Sequence, residues 1–129
     1  GFPDIKTKVD DQLLVKGDAQ MLTVLVTNLL SNALKYAGKE LVMMELVKEE
    51  NSIVLHVADA GPGITEEEKQ KIFGKFYRIG NEETRTTKGT GLGLYICLSI
   101  ARLHHASISI RDNQPTGSIF VVSFPILNL

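Results

Sequence analysis

Four polar residues interrupt an otherwise apolar segment, "TNLLSNALKYA" (residues 27–37): Asn28, Asn32, Lys35 and Tyr36. On a helix Asn28 and Asn32 lie one turn apart, with Lys35 and Tyr36 a further turn on, all within an arc of roughly 100°. A solvated face would account for Lys35 and Tyr36. Two asparagines are odder, because asparagine is a mediocre helix former with better uses at caps. Its neutral carbonyl oxygen is a ligand for a hard divalent ion that phosphates also hold. A lysine supplies a point charge for phosphate. The chemistry these residue types could do together is Mg2+ with a polyphosphate.

Two further stretches bear on that idea. In "VADAGPGI" (57–64), Asp59 is in phase with Ile53, Leu55 and Val57, so it faces the same side of a strand as apolar residues. An unpaired carboxylate there is costly. Either Asp59 is a turn residue, or it accepts a hydrogen bond from a ligand amino group such as the exocyclic amine of adenine. In the second case Gly61 and Gly63 let the backbone approach a flat ring. In "KGTGLGLYI" (88–96), three alternating glycines precede a helix, whose free N–H groups and dipole suit a phosphate. The stretch lacks the ending of a Walker A loop and the spacing of a dinucleotide fingerprint.

These residues need a scaffold, and the hydrophobic pattern supplies one. "DQLLVKGD" (11–18) reads as a short strand ending at Asp18, a candidate N-cap. Residues 19–37 read as a helix with Leu22, Val26, Leu29, Leu30 and Ala33 on its core face, ended by Gly38. "LVMMELVK" and "SIVLHVAD" are adjacent strands joined by "EENS". Thr65 and Glu68 form a capping box for a short helix, "EEEKQKIF". Residues 78–91 read as a long polar loop, a length that is usually functional or disordered. "LGLYICLSIARLH" is a second long helix with Leu92, Ile96, Ile100 and Leu103 in phase. "ASISIRD" and "GSIFVVSF" close the chain as a hairpin around "NQPTG". The pattern is an α+β, two-layer sandwich: one sheet with helices on one face.

The 129 residues are 43% hydrophobic and 22% charged, the composition and length of one globular domain. The net charge of −1 argues against a nucleic-acid partner. The single Cys97, in an apolar helical run, reads as a buried reduced thiol and points to a cytoplasmic location. No run of about 18 apolar residues suggests a membrane span, and no signal peptide is expected. The opening "GFPDIKTK" suggests a piece of something longer.

In order, the chain carries "NLLSNALKYA", "DAGPGI", "KIFGKFYR" and "GTGLGL". These resemble the four conserved boxes of the catalytic, ATP-binding domain of sensor histidine kinases. That domain belongs to the ATPase/kinase superfamily shared with gyrase, a heat-shock chaperone and the mismatch-repair ATPases. The resemblance covers residues from about Leu13 to Phe124, so residues 1–129 are assigned as one such domain. It implies a mixed sheet with helices packed on one face, and a site for ATP and Mg2+. Asn32 would be the Mg2+ ligand, with Asn28, Lys35 and Tyr36 near the phosphates and ribose. Asp59 would read the adenine amine, with Gly61 and Gly63 beneath the base. Phe73 and Phe76 would anchor a lid over residues 78–91, and Arg78 would reach the γ-phosphate. Gly89, Gly91 and Gly93 would wrap the phosphates, with Thr90 and Leu92 between them. Ile64, Tyr77, Lys88 and Leu94 complete the expected ATP-binding set. Asn32, Lys35 and Arg78 are the residues expected to act in catalysis.

The related ATPases carry a glutamate general base one turn before the metal-binding asparagine. Here that position is Asn28, which is not basic enough to deprotonate water near neutral pH. The resemblance therefore implies transfer of phosphate to a histidine on a separate helical-hairpin dimerisation domain, with a response regulator downstream. His56, His104 and His105 do not look like that acceptor; a charged His104 or His105 would favour the helix dipole. Alone, the chain is expected to be monomeric, from a parent that could be membrane-anchored. The alternatives are a nucleotide-binding regulatory module, or a serine kinase or ATPase of the same superfamily. One departure is "HHA" (104–106) where the family often has "HGG", which touches a helix-to-strand turn and not the pocket.

Overall fold

The computed structural model describes residues 5–9, 15, 17–37, 41–74 and 92–125. In chain order the described elements are β1 (Ile5–Val9), α1 (Ala19–Ala37), β2 (Val42–Glu49), β3 (Ser52–Asp59), α2 (Glu66–Lys71), α3 (Gly93–Leu103), β4 (Ser107–Asp112) and β5 (Ser118–Pro125). The strands form one sheet in the order β1-β2-β3-β5-β4. β1 runs parallel to β2, and the other neighbours are antiparallel, so the sheet is mixed as expected. α1 and α3 pack on each other; α1 lies over β2 and β3, and α3 reaches β4.

Strand alternation decides which face the helices cover. On β5, Ser118, Phe120, Val122 and Phe124 are buried, while Ile119, Val121 and Ser123 between them are half-buried. Opposite them in register on β3 stand Asp59, Val57, Leu55 and Ile53. This apolar strip meets Leu25, Leu29, Ala33 and Ala37 of α1, four residues apart and all in the core. The expected stripe contained Leu29 and Ala33 but omitted Leu25, which is fully buried at the centre of the contact.

On α3 the expected phase is wrong. Leu94, Cys97, Ile100 and Ala101 are buried, whereas Ile96 and Leu103 are exposed. The helix is apolar around much of its circumference, so several phases fit the sequence. Packing on α1 selects one: the Cys97 thiol donates to the Leu25 carbonyl across 3.7 Å. Burial pushes that thiol up to about 12, so it is inert, as a structural cysteine should be.

The starts of α1 and α2 carry the expected N-cap residues, Asp18 and Thr65. Asp18 Oδ1 accepts the Met21 N–H at 2.9 Å, and Thr65 Oγ1 accepts the Glu68 N–H at 3.1 Å. α2 ends at Lys71, two residues short of the expected "EEEKQKIF", because Ile72 and Phe73 turn into the core. β1 was not anticipated, although "IKTKV" alternates as a strand should. Of the strand expected at 11–18, Val15, Gly17 and Asp18 lie outside any strand, and residues 11–14 and 16 lie outside the described residues. So does the expected helix stop at Gly38.

The "HHA" departure lies where α3 ends. The Ala106 N–H donates to Ala101 O at 2.8 Å and the His105 N–H to Arg102 O at 3.1 Å, the paired bonds of a Schellman motif. His105 fills the left-handed position, with φ 56, where glycine carries no Cβ penalty. His104 does not act as a cation on the helix dipole. Its Nε2 accepts the Asp18 N–H at 3.1 Å, so Nε2 carries a lone pair, and Nδ1 donates to Ile100 O at 2.8 Å. This neutral ring ties the end of α3 to the start of α1. Replacing His105→Gly should raise unfolding stability by about 0.5–1 kcal/mol, read by denaturant titration; a loss of stability would contradict the strained-turn reading.

Candidate functional site

Asp59 is the last residue of β3 and points to the helix-covered face, 3% exposed. Its register partner Ser118 is 1% exposed. The carboxylate accepts the Gly61 N–H at 2.9 Å, an Asx-turn contact that meets the turn reading. It also accepts the Ser118 backbone N–H. Burial pushes this carboxyl above its ordinary value, and the Gly61 and Ser118 N–H groups only partly offset that. A carboxyl this deep, satisfied by two backbone donors, is more than a turn needs. Its remaining lone pairs suit an amino-group donor.

α1, over this part of the sheet, carries the two asparagines. Asn28 Nδ2 donates to Val24 O at 3.0 Å, which fixes the amide plane. Its Oδ1 lies 3.3 Å from where a Cβ on Gly93 would be, so the first residue of α3 leaves room beside that oxygen. Asn32 is half-buried, and its Nδ2 is buried without a hydrogen-bond partner. A polar atom left in that state costs about 1–3 kcal/mol unless something satisfies it. Lys35 is exposed in the last turn of α1. Among the described residues no three histidine, cysteine, aspartate or glutamate side chains cluster as metal ligands. A cation would therefore rely on amide oxygen and on the ligand's own phosphates.

The other expected site residues divide. Gly61, Gly63, Ile64 and Leu92 are half-buried. Gly63 has φ 85, and a Cβ on it would stand 3.5 Å from Gly117 O. Phe73 packs edge-to-face on Phe120, centroids 6.2 Å apart at 88°, which fixes the end of the segment that follows α2. Leu94 is buried in the core, 9% exposed. The side chain of Tyr36 lies outside the described residues, as do Phe76, Tyr77, Arg78, Lys88, Gly89, Thr90, Gly91 and the expected lid.

Ser118 was missed by sequence reasoning. The signal that marks Asp59 marks it too: a polar residue in phase with the core positions Phe120, Val122 and Phe124. Gly117, with φ 107, was missed as well; a Cβ there would collide with the Asp59 carbonyl oxygen.

A sequence profile for the histidine kinase-, DNA gyrase B- and HSP90-like ATPases matches residues 17–128. The chain is 33% identical over 125 residues to the sensor-like histidine kinase SenX3 of Mycobacterium tuberculosis, covering 96% of this chain and 30% of that protein. It is 37% identical over 122 residues to the sensor protein CiaH of Streptococcus pneumoniae, covering 94% and 26%. It thus spans less than a third of the length of these curated relatives. Among solved structures, the mycobacterial sensor histidine kinase MprB superimposes with a TM-score of 0.81 at 29% identity, covering 95% of this chain and 84% of the other. The catalytic domain of the histidine kinase ThkA gives 0.78 at 31% identity, covering 95% and 79%.

The raised Asp59 carboxyl has a pH consequence. Its protonated form is favoured in the folded chain, so its contribution to stability is present below the ordinary carboxylate range. That contribution is lost as pH rises through the folded value. In denaturant titrations from acid towards neutrality, wild type should lose stability relative to Asp59→Asn. A pH-independent difference would contradict the burial penalty.

Proposed function

The chain belongs to the histidine kinase-, DNA gyrase B- and HSP90-like ATPase family, and we propose that it is the ATP-binding catalytic domain of a two-component sensor histidine kinase. On this reading it transfers the γ-phosphate of Mg-ATP to a histidine on a separate helical-hairpin domain. The observation that carries the reading is the buried Asp59 carboxyl, 3% exposed, which among the described residues is held by two backbone donors, the Gly61 and Ser118 N–H groups. It supplies an acceptor for the adenine amine at the end of the sheet.

The residues present fit the nucleotide and its metal. The partnerless Nδ2 of Asn32 leaves that amide to be satisfied by a ligand, and its Oδ1 is a hard ligand for Mg2+. Asn28 turns its oxygen towards Gly93, the first residue of α3. Lys35 offers charge to the phosphates from the last turn of α1. Gly61 and Gly63 let the base lie against the backbone. Arg78 and the glycines at 89 and 91 belong to the same proposal from the resemblance. When bound, Mg-ATP supplies the transferable phosphoryl group and the divalent charge that neutralises it.

Asn28 cannot serve as a general base, and its amide is already committed to Val24 O. The chain therefore holds ATP without activating water. The chain's own histidines do not fit the acceptor role. His56 is on the sheet face away from Asp59, its Nδ1 buried beside Glu45, 3.8 Å away; His104 is held between two backbone groups, and His105 closes a helix. The acceptor histidine belongs to the parent's helical domain, and a response regulator takes the phosphate onward.

Mixing the chain with that helical domain and Mg-ATP should label the domain with an acid-labile, base-stable phosphate, while the chain alone releases phosphate slowly. Asn32→Ala should slow labelling by about a hundredfold. Nucleotide binding without any phosphohistidine would point to a regulatory module, and brisk phosphate release by the chain alone to an ATPase.

A further inference from the structure

Asp59 owes its position to another element. The β4–β5 hairpin tip, residues 113–117, grips two successive carbonyls just past the end of β3, those of Asp59 and Ala60. Asn113 Nδ2 donates to the Asp59 carbonyl oxygen at 2.9 Å, and Thr116 Oγ1 donates to Ala60 O at 3.3 Å. Gly117 presses its Cα against the same carbonyl, where any side chain would collide. The tip is itself braced: Asn113 N–H donates to Gly117 O at 2.9 Å, and the Gln114 N–H donates to Asn113 Oδ1 at 2.9 Å. Both ends of the Asn113 amide are therefore used, which fixes its plane. At the base of the tip, Asp112 accepts from Lys69 Nζ at 2.7 Å, and the same ammonium donates to Glu66 at 2.6 Å, tying α2 to the hairpin.

We infer that Asn113 is a positioning residue for adenine selectivity, holding the Asp59 backbone so that the carboxylate keeps its aim. This deepens the adenine-binding reading and rests on it. β3 ends at Asp59, so beyond it there is no strand ladder to set the peptide's orientation. The Asn113 amide takes over that task one residue past the last ladder pair of β4, Asp112 with Ser118. A small rotation of the Asp59 peptide would also shift the following Gly61 N–H, and with it the carboxylate that this N–H holds. Losing the Asn113 donor should therefore cost discrimination between bases before it costs the fold. Asn113 itself, half-buried on the hairpin, reads no base.

The test compares ADP with inosine diphosphate, which has a carbonyl where adenine has its amino group. Affinities are measured by calorimetry on the whole chain, with melting temperatures recorded for each variant. Wild type should prefer ADP. Asn113→Ala should lower that preference about tenfold, largely by weakening ADP, and Asn113→Asp, which keeps the Gln114 contact but loses the donor, should do the same. In an Asp59→Asn background, Asn113→Ala should leave the remaining ADP-to-inosine ratio unchanged, because its route through Asp59 is gone. Undiminished preference in folded Asn113→Ala and Asn113→Asp overturns the inference and leaves the adenine reading intact. So does an equal loss of both nucleotides. Wild type that binds both nucleotides alike, or neither, overturns the adenine reading and this inference with it.

Discussion

The molecule is organised around the burial of one carboxyl. Asp59 stands at the end of β3 on the face the helices cover, where ionisation is penalised. Folding tolerates it because two backbone N–H groups reach the carboxylate and a hairpin holds its peptide. The rest of the architecture follows from that arrangement. The sheet supplies the ends of β3 and β5 side by side. The α1–α3 pair roofs the sheet, and the glycines at 63 and 117 let loop and hairpin approach one another. Natural proteins keep such a buried charge where function needs it, since an apolar residue would be cheaper at that position.

The helix pair does a second task. α1 and α3 touch through Cys97 and Leu25 in the core, and through Gly93 and Asn28 at the edge. The same packing that hides Leu25 and Leu29 leaves Asn28 and Asn32 at the border of the apolar stripe. One asparagine spends its amide on its own helix and the other keeps an unsatisfied buried N–H. The polar edge of α1 is thus built by helical periodicity and tuned by which amide groups remain unspent.

Much of this was legible in the amino-acid order. Period-two alternation located β2, β3 and β5, and it put Asp59 on the core side. Turn and cap chemistry located Asp18, Thr65 and the hairpin around Pro115. The phase of α3 was not legible, because apolar residues occupy both its sides and only contact with α1 distinguishes Cys97 from Ile96. Ser118 carried the same signal as Asp59 but, as a small hydroxyl residue at a strand start, it resembles an ordinary turn residue. The grip of Asn113 on Asp59 spans 54 positions and depends on tertiary placement alone. The order of the four boxes, more than any single residue, pointed to the family that the comparisons then showed.

The most direct test of the central claim is calorimetric titration of a non-hydrolysable ATP analogue into wild type and Asp59→Asn, with and without Mg2+. Wild type should bind in a Mg2+-dependent manner, and the variant should lose at least about tenfold in affinity while keeping its fold. Equal affinity in the two chains would contradict the claim that the buried Asp59 carboxyl reads the base.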